Sequence, residues 1–181
     1  SGSFLNKNEV DVKVQEHIFN VFSKYDNIKE VIVESKPEYI DEDSLKWLAS
    51  IIPDKIFEIG IGLETSNEDT RLNKINKGIT NKSFERAVDT INSIDEYDIR
   101  AKAYLLVKPI LLSEKDALEE SIESAYYAKK VGVKRLAYCP STVHGGTLMD
   151  YLWKRGSYNP PWIWTTIEII KEVRKNVDIP M

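Results

Sequence analysis

The chain has 181 residues, 42% of them hydrophobic, and its 25 Lys and Arg against 29 Asp and Glu give a net charge of −4. This composition is that of an ordinary globular protein. The length suits a single domain over residues 1–181. The net negative charge argues against nucleic-acid binding by the whole surface, because phosphate binding needs clustered Lys and Arg.

The first predicted elements are a helix at 10–22 and a strand at 31–33. Asp41 then caps a short helix that contains Leu45 and Leu48, and a second strand follows at 56–61. The next helix starts after a cap at Thr80 or Asn81. Four apolar residues at i, i+3, i+4 and i+7 mark its buried face. They are Phe84, Ala87, Val88 and Ile91.

The second half repeats the alternation with a strand at 103–107, a helix from the Ser113 cap to about residue 130, and a strand at 134–138. A long loop then leads to a last helix. Its predicted apolar stripe is Ile163, Ile167, Ile170 and Val173. Strands that alternate with helices predict a parallel sheet covered by helices. The pattern leaves open whether the sheet closes as a barrel or stays open and doubly wound. In both folds ligands bind at the carboxyl ends of the strands.

Carboxylates stand at the ends of the first two strands. Glu34 follows the first strand, and alternation along the second strand places Glu58, Gly60, Gly62 and Glu64 on one face. A carboxylate at a buried strand end is costly unless it is paired or used, and glycines leave room for a ligand to approach the backbone. For Glu34 the alternatives are an ion pair with Lys36 or a cap on the next helix. For the glycines the alternative is packing between a helix and the strand.

This second strand does not carry a dinucleotide fingerprint. Gly60-Ile61-Gly62 lacks the third glycine, and a carboxylate at the turn would repel a pyrophosphate.

Two lysines and one cysteine stand at later strand ends and loops. Lys77, in Asn76-Lys77-Gly78, and Lys108, after the third strand, either face solvent or meet an anionic group of a ligand. Cys139 is the only cysteine. It excludes an internal disulfide and predicts the reducing cytoplasm as the location, while metal binding by this chain is not expected. No apolar run reaches the roughly 20 residues of a membrane span. The aromatic-rich segment 151–162 is interpreted as a lid, with base stacking as the alternative.

Four motifs in order carry a family resemblance. They are Glu34-Ser35-Lys36-Pro37-Glu38-Tyr39, then Glu58-Ile59-Gly60-Ile61-Gly62-Leu63-Glu64, then Asn76-Lys77-Gly78, and Gly146-Thr147 continuing to Leu152-Trp153-Lys154-Arg155-Gly156-Ser157-Tyr158. Together they resemble the radical S-adenosylmethionine enzymes related to the Elongator catalytic subunit. Pro160-Pro161-Trp162-Ile163-Trp164 and the N-terminal Ser1-Gly2-Ser3 segment are closest to the archaeal branch that makes archaeosine.

The resemblance implies a parallel α/β sheet that forms part of a (β/α)6 partial TIM barrel, with S-adenosylmethionine and a [4Fe–4S] cluster as cofactors of the parent enzyme. The implied cofactor-binding residues are Ser1, Gly2, Ser3, Glu34, Gly62, Glu64, Lys77 and Lys108. The family's three-cysteine cluster motif is missing. The chain is therefore expected to be the C-terminal part of such a barrel, without the first strand and cluster loop. We expect it to be inactive alone, to hold no cluster and to bind S-adenosylmethionine weakly or not at all, so that neither cofactor is expected bound to it.

The implied function of the parent is a radical lyase that forms archaeosine from lysine-modified preQ0 in tRNA. A transglycosylase-like partner would transfer the lysine, and exposed sheet edges would allow this chain to self-associate. Two alternatives stay open, an Elongator-like radical acetyltransferase and a non-catalytic α/β binding module.

Overall fold

A computed structural model describes residues 2–181, in which helices and strands alternate along the chain. The helices are α1 (Val12–Ser23), α2 (Glu42–Ile51), α3 (Asn81–Asn92), α4 (Glu114–Val131), α5 (Leu148–Lys154) and α6 (Ile163–Val173). The strands are β1 (Glu30–Glu34), β2 (Ile56–Glu64), β3 (Ile99–Val107) and β4 (Arg135–Pro140). A 3-10 turn covers Pro37–Tyr39 and a π-helical turn covers Thr70–Lys74.

The four strands form one parallel sheet in the order β1-β2-β3-β4. Flat strands are about 4.8 Å apart, which would separate β1 from β4 by about 14 Å. Nevertheless Arg135 on β4 reaches Glu30 on β1, with Nη2 and Oε1 2.7 Å apart. The sheet is therefore curled into half of a barrel, and the prediction of a partial barrel is confirmed over the doubly wound alternative.

The apolar core lies between the convex face of the sheet and the helices. The buried side chains of β2 alternate as Phe57, Ile59, Ile61 and Leu63. They share one apolar core with the predicted stripe of α3, whose Phe84, Ala87, Val88 and Ile91 are all buried. The concave face carries polar and charged groups and is not covered by the helices of the core. A ligand can therefore bind on that face.

The helix ends follow the predicted capping residues. Asp41 accepts a hydrogen bond from the Ser44 amide at the start of α2. Thr80, rather than Asn81, caps α3, and Ser113 caps α4. Gly132 ends α4 with a φ of +103°, a left-handed conformation that glycine adopts without strain.

Two features of the second half differ from the sequence prediction. The long loop after β4 contains α5, which begins at a Thr147 cap. The stripe of α6 is also shifted, because Ile163 and Ile167 are exposed while Ile169 is buried. Periodicity alone did not distinguish these faces, since isoleucines occur all around this helix. No helix within residues 2–181 is long and apolar enough to cross a membrane.

Candidate functional site

A cavity of about 380 Å³ opens at the carboxyl ends of β1 and β2, on the concave side of the sheet. This volume lies in the range of small-molecule sites. The predicted residues Gly2, Ser3, Glu34, Gly62, Glu64 and Lys77 line it, together with Ser35, Lys36, Gly60, Ile79, Tyr104 and Cys139. Ser1 lies outside the described residues. The structure therefore brings six of the eight predicted residues together, from four separate parts of the chain.

An ion pair between Glu64 and Lys77 forms one wall of the cavity. The backbone is left-handed at or beside both partners. Glu64 has a φ of +63°, and Asn76, the residue before Lys77, has a φ of +58°. Such conformations cost about 1–3 kcal/mol each in residues other than glycine, and they persist where the surroundings hold them. A register shift in β2 between Gly62 and Glu64 accompanies the turn. The wall formed by Glu64 and Lys77 therefore contains strained backbone that the surrounding structure holds in place.

The two glycines of β2 make the cavity possible. A Cβ on Gly60 would lie 2.6 Å from Cε2 of Tyr104, and a Cβ on Gly62 would collide with Nζ of Lys77. Any larger residue at these positions would displace side chains that line the cavity. The glycines therefore allow the close approach of the Tyr104, Lys77 and Glu64 side chains, whereas the approach of a ligand to this backbone stays a prediction.

Glu9 supports the N-terminal wall of the cavity and is not among the residues predicted from the sequence. Its carboxylate accepts hydrogen bonds from the Ser3 amide at 2.8 Å and from Nδ2 of Asn6 at 2.7 Å. These bonds lower the pKa of Glu9. The Ser3 hydroxyl in turn accepts a hydrogen bond from the Lys36 amide at 3.1 Å, which ties this wall to the end of β1. No motif or periodicity pointed to Glu9, because its role depends on a local turn.

Tyr104 and Cys139 reach the cavity from β3 and β4. Burial, followed by the nearby Glu34 carboxylate, raises the pKa of Tyr104 to about 12. Burial also raises the pKa of the Cys139 thiol. Both groups are therefore neutral at pH 7. Alternation along β3 could have placed Tyr104 on the concave face, since Lys102 shares that face.

A buried charge network lies on the concave face beyond Gly60 and the cavity. The Glu58 side chain is fully buried, with Arg135 Nε at 3.2 Å and Lys102 Nζ at 3.9 Å. Arg135 also makes a two-pronged contact with Glu30. Burial raises the pKa of Glu58 while Arg135 opposes the rise. The network links β1, β2, β3 and β4 across the half-barrel.

Lys108 does not line this cavity. It is buried, and its ammonium contacts Glu114 at the start of α4. Glu114 also accepts hydrogen bonds from the Trp162 amide at 2.9 Å and from the Thr165 hydroxyl at 2.6 Å. These contacts hold the start of α6 against the end of β3. A role of Lys108 in cofactor binding stays a prediction, and its observed contacts are within the protein.

Within the described part of the chain, no group of three or more His, Cys, Asp or Glu side chains is arranged to hold a metal ion. The cavity lining instead combines the carboxylates of Glu34 and Glu64, the lysines Lys36 and Lys77, three hydroxyl-bearing residues and glycine backbone. Such a set suits a polar organic ligand that carries both amino and carboxylate groups.

Comparison with known proteins gives relatives across nearly the whole chain. An uncharacterised protein of Methanocaldococcus jannaschii is 44% identical over 176 residues, which are 97% of this chain and 47% of that protein. The archaeosine synthase subunit beta of Thermococcus kodakarensis is 37% identical over 170 residues, 94% of this chain and 51% of that subunit. The chain thus spans about half the length of the curated relatives it matches. No protein-family model matches it.

Among solved structures, the archaeal Elp3 of Methanocaldococcus infernus, with residues 1–46 deleted, has a TM-score of 0.69. The match covers 92% of this chain and 38% of that one, at 14% identity. At this identity the likeness shows a shared fold and no more.

Proposed function

This chain is a homologue of the archaeosine synthase beta subunits, as its motifs predicted, and from that premise we propose that its cavity binds S-adenosylmethionine as part of a tRNA-modifying enzyme. The observation that carries the proposal is the meeting of Glu34, Glu64 and Lys77 in one cavity at the carboxyl edge of a parallel half-barrel. Ligands of such sheets bind at this edge.

The cavity residues fit the ligand's chemistry. The carboxylates of Glu34 and Glu64 can accept hydrogen bonds from ribose hydroxyls or an ammonium group, and Lys77 can pair with the methionine carboxylate. Gly62 provides the space in which the side chains of Glu64 and Lys77 meet at the cavity wall. When bound and reductively cleaved, S-adenosylmethionine supplies radical hydrogen abstraction, while the protein supplies orientation and exclusion of water.

A [4Fe–4S] cluster does not fit this chain's own residues. Protein ligands to such clusters are cysteine thiolates, and Cys139 is the only cysteine of the chain. We therefore derive no step through a cluster, and this chain alone is expected to be inactive.

The finer proposal concerns the whole protein. Its reaction is the release of archaeosine from a lysine-modified deazaguanine in tRNA, which the name of the 37% identical relative supports. That relative is called a subunit, so we also propose that the protein works with a second subunit that supplies the lysine-modified tRNA. Self-association through sheet edges and a cytoplasmic location stay predictions.

Alkylation of Cys139 tests the cavity, because this single thiol lines it. Iodoacetamide labelling is followed by mass spectrometry over a titration with S-adenosylmethionine. Without an iron to bind the methionine end, we expect a dissociation constant on the order of 1 mM. At about ten times that concentration, labelling should slow about tenfold.

Two variants serve as controls for this titration. Lys77→Met should remove most of the protection, whereas Lys115→Met, at an exposed lysine on α4, should retain it. Unchanged labelling at saturating ligand would refute the cavity assignment. A sub-micromolar affinity would contradict our view that part of the binding site is contributed from outside this chain.

The reaction itself requires the complete protein. Incubated anaerobically with reductant, S-adenosylmethionine and lysine-modified tRNA, it should yield archaeosine detectable by nucleoside mass spectrometry. Lys77→Met should abolish the product and Lys115→Met should not. If the complete protein with its cluster intact yields no archaeosine while Cys139 is still protected, the lyase proposal fails and the cofactor proposal survives.

A further inference from the structure

Arg71 is the largest fully buried side chain of the described residues, and neither the motifs nor the proposed chemistry use it. It lies in the π-helical turn Thr70–Lys74, within the connection between β2 and α3. Among residues 2–181 the one carboxylate within 4 Å of its guanidinium is that of Glu68, which is half-exposed and 3.4 Å away. Burial lowers the pKa of the guanidinium. Keeping a charge in such a place is costly unless its hydrogen bonds are satisfied.

The guanidinium is satisfied mainly by backbone next to the cavity. Nη1 donates to the carbonyl of Thr65, the residue after Glu64, and Nε donates to the carbonyl of Ile79 at 2.5 Å. The Ile79 side chain itself lines the cavity. Nη2 donates to Oδ1 of Asn81 at 2.7 Å. One side chain therefore joins the end of β2 to the start of α3.

The backbone of Arg71 completes the connection. Its carbonyl accepts a hydrogen bond from the Lys77 amide at 3.0 Å. The segment that it ties down has a left-handed residue at each end, Glu64 and Asn76. Left-handed residues other than glycine relax unless neighbouring contacts hold them. Arg71 contacts the residue that follows each of them, Thr65 through its side chain and Lys77 through its carbonyl.

We propose that Arg71 is a positioning residue that sets the geometry of the Glu64–Lys77 pair, and through it the recognition of the ligand's carboxylate. The ligand part of this inference rests on the proposed function. The positioning part does not, because it concerns contacts within the chain. Arg71 contacts no ligand site itself; it acts on Lys77 and Glu64 through the backbone.

A lysine at position 71 could not substitute. The planar fork of arginine addresses Thr65, Ile79 and Asn81 at once in fixed directions, whereas a lysine ammonium is a single point charge on a flexible stem. Arg71→Lys therefore keeps the positive charge and removes the fixed directions of the three side-chain hydrogen bonds.

Hydrogen exchange measured by mass spectrometry tests the positioning without any ligand. In Arg71→Lys we expect the amides of residues 64–79 to exchange about tenfold faster, while those of β3 change less than about twofold. Arg100→Lys, at an exposed pair with Asp98, is the matched control and should leave both segments unchanged. Uniformly faster exchange over the whole chain would show a merely structural role and overturn the proposal.

Should Arg71→Lys fail to fold, Asn81→Ala removes one of the acceptors and leaves the arginine in place. It should accelerate exchange in the same segment by a smaller factor. Unchanged exchange there would overturn the proposal as well.

The effect on ligand binding is measured by how strongly S-adenosylmethionine protects Cys139 from labelling by iodoacetamide. Arg71→Lys and Lys77→Met should each weaken binding about tenfold, and the double variant should be no weaker than Lys77→Met alone. Additive losses would show that Arg71 does not act through Lys77. If the unmodified chain shows no protection, the proposed function fails, and hydrogen exchange still decides the positioning.

Discussion

Lys77 donates a hydrogen bond to Glu64 from 13 residues further along the chain, and this pair stands directly over Gly62. The pair joins the end of β2 to the loop before α3. The absence of a side chain at Gly62 leaves the space in which these two side chains meet.

The two glycines of β2 should respond differently to alanine. In Gly60→Ala the new Cβ meets the ring of Tyr104, which is anchored in the sheet, so we expect a loss of about 1–3 kcal/mol in the free energy of unfolding. In Gly62→Ala it meets the flexible ends of Lys77 and Glu64, so we expect less than about 1 kcal/mol. Urea unfolding measures both. Equal losses would contradict this account of the two contacts.

Arg135 should contribute more to stability than Arg100. Arg135→Met removes the closest cation from the fully buried Glu58, and we expect a loss of about 3–5 kcal/mol in the free energy of unfolding. Arg100→Met breaks an exposed pair with Asp98 and should cost less than about 1 kcal/mol. Urea unfolding of the two variants makes the comparison. Similar values would show that the charge network does not stabilise the half-barrel.

The contacts of Glu114 predict a dependence of stability on pH. Burial raises its pKa, but hydrogen bonds from Lys108, Thr165 and the Trp162 amide outweigh this, and the net pKa lies below the usual 4.5. The folded chain then holds fewer protons than the unfolded chain near that pH, so the stabilisation is present above about pH 4.5 and is lost as the pH falls through the folded value.

Glu114→Gln should therefore cost about 1–3 kcal/mol at pH 7 and clearly less at pH 3, measured by urea unfolding at both values. The control is Glu119→Gln, at an exposed carboxylate of the same helix, which should change stability little at either pH. A cost of Glu114→Gln that is the same at both values would show that the charge of Glu114 does not contribute.

Two isoleucines of α6 test the observed face of that helix. Ile169→Ala opens a fully buried position and should cost about 2–5 kcal/mol in the free energy of unfolding. Ile167 is 44% exposed, so Ile167→Ala should cost less than about 1 kcal/mol. Thermal or urea unfolding distinguishes the two. The reverse order would restore the stripe that periodicity predicted.

Much of the site could be predicted because it depends on local pattern and topology. Glu34 and Glu64 each end a parallel strand, and parallel strands that follow one another bring these ends to the same edge. Lys77 was predicted from the motif Asn76-Lys77-Gly78. Arg71 and Glu9 were not predicted, because each acts through backbone groups whose positions depend on turns. Lys108 was expected with the other residues, yet its ammonium contacts Glu114.

By itself the sequence determined the alternation of strands and helices, the caps at Asp41 and Ser113, and the polar groups at the strand ends, because hydrophobic period and capping are properties of short segments. Only the tertiary structure decided between an open sheet and a half-barrel. That choice depends on curvature, which brings Arg135 on β4 to Glu30 on β1 across 105 residues of chain. The same curvature puts Tyr104 and Cys139 beside Glu34, and no local pattern encodes it.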